Sequence, residues 1–379
     1  MPVKILSINN FVVVLKLYIC KSEYLMIGNM KGGYQMIVAS DGSGDFTSIQ
    51  EAVGRVPEGN KEIVKIYIKN GVYKEKLHIE KNFITLIGQN AKKTILTYDD
   101  YAKKKYVNGE KYNTFNSASV FIGGDNFFAQ DITFENSAGA GDVVGQAVAA
   151  YVDGDRVAFK NCRFLGNQDT LFTGPLPPHP LERGNFGGPR DSDPRRCGRQ
   201  YYEGCYIEGD IDFIFGSATA VFNKCEIFSK KRSGEQSSNL NSTRDVNGWI
   251  TAASTPKDVE IGYVFIDCKL NSDAPAKTVY LGRPWRNYAK TAFINCFMGE
   301  HIIADGWDNW NKTESEKTTV YCEYNSQGVG ASNADRVKWS KILSSKEAQR
   351  YDILNVLADI DGWDPKGLSK AMTSNCDIK

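Results

Sequence analysis

From about residue 36 onward the chain runs as short apolar segments rich in Val, Ile and Phe, punctuated by Gly, Asn and Asp. Apolar segments bounded by turn residues predict strands, and long helical periods are scarce. One exception lies near each end. FTSIQEAVGRV (46–56) carries apolar residues at helical spacing, and Ser344 followed by Glu347 predicts a capping box opening SKEAQRYDILNVLA. Both suit end caps on a strand-built solenoid, whose open ends need covering.

A repeat is written in the cysteines. Five segments share one frame, an apolar residue followed at fixed spacing by Cys and a second apolar residue: FKNCRF (159–164), YEGCYI (202–207), FNKCEI (222–227), FIDCKL (265–270) and FINCFM (293–298). AQDITF (129–134) is a sixth copy with Ile132 in place of Cys. Strand alternation puts the first apolar residue opposite the Cys, which shares its face with the last. Successive cysteines are 20 to 43 residues apart. Separate strands of an antiparallel sandwich are one reading. Stacked parallel rungs with thiols laddered inside explain the recurrence better, and predict a single parallel β-helix domain over 36–379.

Within this pattern GDIDFIFG (209–216) is anomalous. Alternation sets Asp210, Asp212 and Ile214 on one face, and Ile211, Phe213 and Phe215 on the other. A carboxylate among Phe and Ile loses water, so Asp212 needs a partner or a task, whereas Asp210 reads as a solvated edge residue. Three further blocks interrupt apolar strands with polar groups: VGQAVAAYV (144–152), GNQDTLF (166–172) and YLGRPW (280–285). Singly, each has a structural reading: Gln146 and Gln168 as ladder amides, Asp169 as a turn former, Arg283 as a surface charge. Together they supply two acids, two amides and an arginine that a solenoid would stack on neighbouring rungs.

Composition narrows the chemistry. Basic and acidic residues number 46 and 45, which excludes a globally basic nucleic-acid binder but not a local patch that reads a polyanion. The only histidines are His78, His179 and His301, none in metal-ligand spacing, and GxSxG is absent, so a Ser-His-Asp hydrolase is disfavoured. Nine cysteines without a CxxC read as buried free thiols. Residues 1–35 fit poorly with the rest of the chain: their apolar run is interrupted by Asn9, Asn10 and Lys16, and is too short and polar to span a bilayer. They read as a leader or disordered arm.

The four polar blocks resemble the signature set of the pectin methylesterases (pectinesterases), a carbohydrate esterase family. The resemblance extends through DGSGDFTSIQEAV (41–53), GVYKEKL (71–77), TFNSASV (114–120), GWDNW (306–310), VKWSK (337–341) and GWDP (362–365). It implies an all-β fold, the single-stranded right-handed parallel β-helix of pectin lyase-like solenoids, with short capping helices. It implies an aspartyl esterase that demethylates galacturonate units of pectin, giving pectate and methanol. Carried onto this sequence, Asp212 is the nucleophile and Asp169 the general acid, later base. Gln168 and Gln146 stabilise the oxyanion, and Arg283 holds Asp212. Thr114, Gln146, Arg283 and Trp285 contact substrate. The substrate implies an extracellular, monomeric protein that needs no cofactor or metal and binds neither nucleic acid nor membrane.

Physical logic supports these roles. Ester hydrolysis needs a nucleophile, donors for the oxyanion and a proton for the departing methoxide. A carboxylate kept ionised by Arg283 can attack, while a second carboxyl without such a partner is pushed toward protonation. Phe213 and Trp285 are candidates for stacking on sugar rings. Trp249, Trp339 and Trp363 read as packing residues, and Trp307 and Trp310 as either.

The Pro- and Gly-rich segment 173–199 separates the two aspartate motifs and resembles the longer link of bacterial family members. It is expected to line or overhang the groove, with Arg183, Arg190, Arg195, Arg196 and Arg199 facing free galacturonate carboxylates or solvent. Three competing readings remain. One is a β-helix lyase or glycosidase, which the paired amides disfavour; the others are a relative acting on a different ester or thioester, and a non-catalytic carbohydrate-binding β-helix.

Overall fold

The computed structural model describes residues 34–181, 184–232 and 245–367. The leader expected over 1–35 lies outside these apart from its last two residues, which open the first strand, Tyr34–Val38. Described strands form three sheets of eleven, seven and eight strands, and every pairing between them is parallel. Each turn of chain adds one strand to each sheet in succession, for instance Val157–Lys160, Arg163–Leu165 and Leu171–Thr173. This is a parallel β-helix, and the antiparallel sandwich is excluded.

The cysteine frame marks a corner, where alternation does not hold. The residue before each Cys has a left-handed backbone: Asn161 (φ 49°), Gly204 (59°), Lys224 (54°), Asp267 (52°) and Asn295 (53°). The chain turns there from the eleven-stranded into the eight-stranded sheet. Left-handed geometry breaks the period of two, so the first apolar residue, the Cys and the last all face the core. Phe159, Tyr202, Phe222, Phe265 and Phe293 stack rung on rung, with ring centroids 5.0, 4.6, 4.5 and 4.5 Å apart. Such pairs add about 0.5–1.5 kcal/mol each beyond burial. Beside them Cys162, Cys205, Cys225, Cys268 and Cys296 are buried free thiols. Each donates to a carbonyl of the preceding rung at 3.2–3.7 Å.

Near the N-terminus the helix Ile49–Arg55 buries Ile49, Ala52 and Val53 over the core, and the Ser48 side chain accepts the Glu51 N–H. The capping box of Ser344 and Glu347 is present, but the helix it opens is short. Asp352 caps a separate helix, Ile353–Leu357. Contrary to the end-cap expectation, Tyr351, Ile353, Val356, Leu357 and Trp363 pack on the outward residues Tyr201, Val221, Val264 and Ala292 of the eleven-stranded sheet. The apolar outer face of that sheet needs this cover.

Candidate active site

Four neighbouring strands of the seven-stranded sheet build the site: Leu171–Thr173, Ile211–Gly216, Gly248–Ala253 and Val279–Pro284. Asp169 lies in the turn before the first, Asp212 in the second and Arg283 in the fourth. Ile211 pairs with Trp249 and Ile214 with Thr251, so Asp212 and Phe213 together face Ile250 alone. This two-against-one bulge re-aims side chains. Asp212 has a left-handed backbone (φ 51°), as do Asp169 (63°) and Trp310 (57°). Left-handed non-glycine residues are uncommon and gather at functional sites.

The bulge answers the anomaly in GDIDFIFG. Phe213 and Ile214 both turn into the core, and each gains about 1.5–3 kcal/mol from burial. Asp212 turns outward to the cleft. Phe213 is therefore fully buried and unable to stack on a sugar; Phe215, two residues on, lines the cleft instead. Asp210 is also buried rather than solvated. It accepts the Ile211 N–H at 2.7 Å, and burial raises its pKa.

Arg283 grips Asp212 with two hydrogen bonds, Nε to Oδ1 at 2.8 Å and Nη2 to Oδ2 at 2.7 Å. Its guanidinium carbon lies 3.7 Å from the ring centroid of Trp249 and 3.8 Å from that of Trp310. The planar cation is thus stacked between two indoles while its edge binds the carboxylate. Trp249 is a packing residue as expected, but what it packs is the arginine. Next to it, Gly282 lets its strand sit close on Thr251 of the neighbouring strand, since a Cβ there would lie 2.0 Å from Thr251 Oγ1. Gly282→Ala is expected to destabilise the protein by about 1–3 kcal/mol through forced displacement of the strand, as thermal unfolding would read.

Asp169 is buried, and its amide donates to the Ile211 carbonyl at 3.0 Å. Burial first, then the negative charge of Asp212, push its pKa well above the usual carboxylate range, and Arg283 only partly offsets them. The two acids consequently have opposite surroundings. Asp212 is clamped by a cation, and Asp169 is driven to hold a proton.

Thr114, Gln146, Gln168, Asp169, Asp212, Arg283 and Trp285 all line one cleft of about 370 Å³, with Phe115, Phe186 and Trp310 among its other walls. The Ala147 N–H donates to the Gln168 carbonyl at 3.1 Å, which sets the two glutamines on neighbouring rungs. Of the residues expected here, only Phe213 is elsewhere. Under the cleft, Phe115, Phe172, Phe215 and Trp285 form an outward aromatic cluster.

The 173–199 segment lines the cleft through Pro180, Leu181, Asn185 and Phe186. Its arginines are occupied elsewhere. Arg190 pairs with Glu80, Asp153 and Asp193, Arg196 with Asp125, and Arg199 with Asp155 and Asp361. Arg195 donates to the carbonyls of Pro177, Arg190, Asp191 and Asp193. Those four side chains tie the segment down rather than reach for substrate, and Arg183 lies outside the described residues. Sequence reasoning missed Arg286 and Lys312, which also line the cleft. Arg286 directly follows the LGRPW block, and Lys312 follows GWDNW by two positions.

The sequence model of the family described as Pectinesterase matches residues 35–175 and 181–359. Pectinesterase 31 of Arabidopsis thaliana is 36% identical over 321 residues, covering 83% of this chain and 89% of that protein. The structure of pectin methylesterase from carrot superposes with a TM-score of 0.73 at 31% identity, over 91% of this chain and 98% of the carrot chain. A crystal structure of pectin methylesterase in complex with a hexasaccharide gives a TM-score of 0.70 at 29% identity, over 89% of this chain and 99% of that one.

Proposed function

The chain belongs to the pectinesterase family, and on that premise we propose how the residues of this cleft remove methyl esters from pectin. Asp212 attacks the C6 carbonyl carbon of a methylated galacturonate. Methoxide leaves with the proton of Asp169, and the acyl group remains on Asp212 as an anhydride. The Asp169 carboxylate then takes a proton from water, whose oxygen attacks the anhydride and frees both pectate and Asp212. Side-chain amides of Gln146 and Gln168 donate to the oxyanion in both steps, each contributing about 3–4 kcal/mol by comparison with known oxyanion donors. Arg283 holds Asp212 through its two hydrogen bonds, and Thr114 and Trp285 hold the sugar chain.

One observation supports this reading most: two carboxyls share a cleft yet are treated oppositely, one clamped by Arg283, the other buried beside a negative charge. Two such groups divide into nucleophile and acid. Methanol released from pectin without shortening of the chain is the expected product pattern. Unsaturated ends would mean a lyase, and new reducing ends a glycosidase. Because the substrate is a wall polymer, we place the enzyme outside the cell as a monomer acting on an extended chain, in one catalytic domain over 36–379. No helix among the described residues is long and apolar enough to cross a membrane.

A further inference from the structure

A second cluster of charge lies outside the catalytic cleft, at the ends of neighbouring strands of the same sheet. Leu77–Ile79, Val120–Ile122, Ala150–Val152 and Leu171–Thr173 are adjacent there, and Glu80, Gly123, Asp153 and Gly174 directly follow them. Residues 184–199 of the long segment are bound to these ends. Arg190 donates to Asp193 through Nη1 at 2.8 Å, and to Glu80 and the Gly123 carbonyl through Nη2. The Tyr151 hydroxyl donates to the Pro189 carbonyl at 3.0 Å, and the Asn116 side-chain amide to the Gly187 carbonyl at 2.8 Å. Asp191 accepts the Phe186 N–H at 3.0 Å. Held in this way, Phe186 packs edge-on against Phe115, ring centroids 5.5 Å apart, and both rings are walls of the cleft. Asp153 lies beneath the segment. A Cβ on Gly174 would come within 1.8 Å of its Oδ1, and Arg190 Nε lies 3.5 Å from its Oδ2. That contact is longer than the ~2.7–2.9 Å of a charge-assisted hydrogen bond. Among the described residues, Asp153 Oδ1 and Arg190 Nε are buried atoms without a hydrogen-bond partner.

The charges around Asp153 are already matched to one another. The segment brings Arg190, Arg195, Arg196, Asp191 and Asp193; the flanking rungs bring Glu80, with His78 beside it, and Asp125. Arg190 is paired with Glu80 and Asp193, Arg196 with Asp125, and Arg195 donates to backbone carbonyls. On the stretch that carries Asp153, Tyr151 is bonded to Pro189 and Asp155 is paired with Arg199. An ionised Asp153 would therefore exchange its water for one long contact, which is costly. Resting on the pectinesterase reading, we propose that Asp153 couples the seating of residues 184–199, and with it the cleft wall at Phe186, to proton uptake: the segment seats on the protonated carboxyl and loosens when that carboxyl ionises. Burial first raises the Asp153 pKa to about 7; Arg190, Arg196 and Arg195 oppose the rise, and Glu80 adds to it. When the segment lifts, water reaches the carboxyl and returns it toward the ordinary range, so the seated form binds its proton more tightly. Seating is thus strongest in acid, weakens by up to about tenfold per pH unit as pH rises toward 7, and levels off above it. Asp153 is a positioning residue, acting on substrate only through the wall it seats.

The test is hydrogen–deuterium exchange of wild type and Asp153→Asn, compared at each pH from about 5 to 8.5 so that the intrinsic pH dependence of exchange cancels. The Gly174 amide, which donates to the Val152 carbonyl at 2.6 Å, reports the start of the segment, and the amides of 184–193 report its seated half. The two proteins should exchange alike near pH 5, and by pH 8 the wild type should exchange about tenfold faster or more. Methanol release from methylated pectin adds a functional readout. The ratio of wild-type to variant KM should rise severalfold over the same range while the ratio of kcat values stays level, because Asp169 titrates in both. A merely structural role for Asp153 would give a constant ratio. Wild type alone supplies a further measurement: protection at Gly174, corrected for intrinsic exchange, should fall between pH 5 and 7 and hold steady from 7.5 to 8.5. Equal exchange in the two proteins at every pH would overturn the proposal. Faster exchange in the variant above pH 7 would overturn it too, by making ionised Asp153 a partner that holds Arg190. An absence of methanol would instead overturn the esterase reading, whereas exchange needs no substrate and decides the seating separately.

Discussion

Asp212→Asn is expected to lower kcat for methanol release from pectin by at least about a thousandfold, with KM changed far less. The amide has the shape of the carboxylate but not its nucleophilicity, and its carbonyl oxygen still accepts one bond from Arg283. Stability should fall too. Wild-type Arg283 is nine-tenths buried and spends its Nε and Nη2 donors on Asp212. Removing the partner charge of a buried pair typically costs about 3–5 kcal/mol. The loss should sit at or below the lower end, because Trp249 and Trp310 remain stacked on the cation. Thermal unfolding and single-substrate kinetics on the same preparation check both parts. A folded Asp212→Asn enzyme with wild-type kcat would remove Asp212 from the chemistry.

How much of this was legible in sequence depends on whether the signal was periodic. The β-helix was readable because its core ladder repeats: the aromatic and Cys positions of each frame face their counterparts on the next rung, and only stacking gives one frame that meaning. Alternation misled where the backbone turns left-handed. At Asn161, Gly204, Lys224, Asp267 and Asn295 it hid a corner, and at Asp212 it hid a bulge. One mechanism thus explains both the inward Cys and the error over Phe213. A left-handed residue leaves no trace in hydrophobicity, and Asp, Asn and Gly before an apolar pair are only a weak hint.

The site residues were legible through resemblance and through the oddity of acids in apolar strands. Their supporting shell was not. Nothing in GWITAA or GWDNW announces that Trp249 and Trp310 flank Arg283, since the two are brought together only by the fold. The arginines of 173–199 erred the other way. Their density suggested an anion site, yet four of them are spent on Glu80, Asp125, Asp153, Asp155, Asp193, Asp361 and backbone carbonyls. The cations left without acids among the described residues, Arg286 and Lys312, stand outside the conspicuous cluster. Counting charges in a segment could not find them, because what distinguishes them is the absence of partners in space.

Asp169→Asn should separate activity from stability in opposite directions. Loss of a general acid and base is expected to cost about a hundredfold to ten-thousandfold in kcat. The same change should raise Tm at neutral pH. Asp169 is raised by burial and by Asp212, so the native state holds its proton more tightly than the unfolded chain does. Its contribution is fully present below the ordinary carboxylate pKa and declines as pH rises through its folded value. Asparagine has the same shape and no proton to lose. Wild type and variant should therefore melt together near pH 3.5, and the variant should gain as pH rises above the ordinary carboxylate pKa. The kinetics should carry the matching signature. Wild-type kcat falls on the alkaline side as Asp169 loses the proton that methoxide needs, and the variant's residual activity lacks that limb. A variant that melts below wild type across this whole range would mean that Asp169 is ionised and paired in the native protein, and that the acid of the reaction is another group.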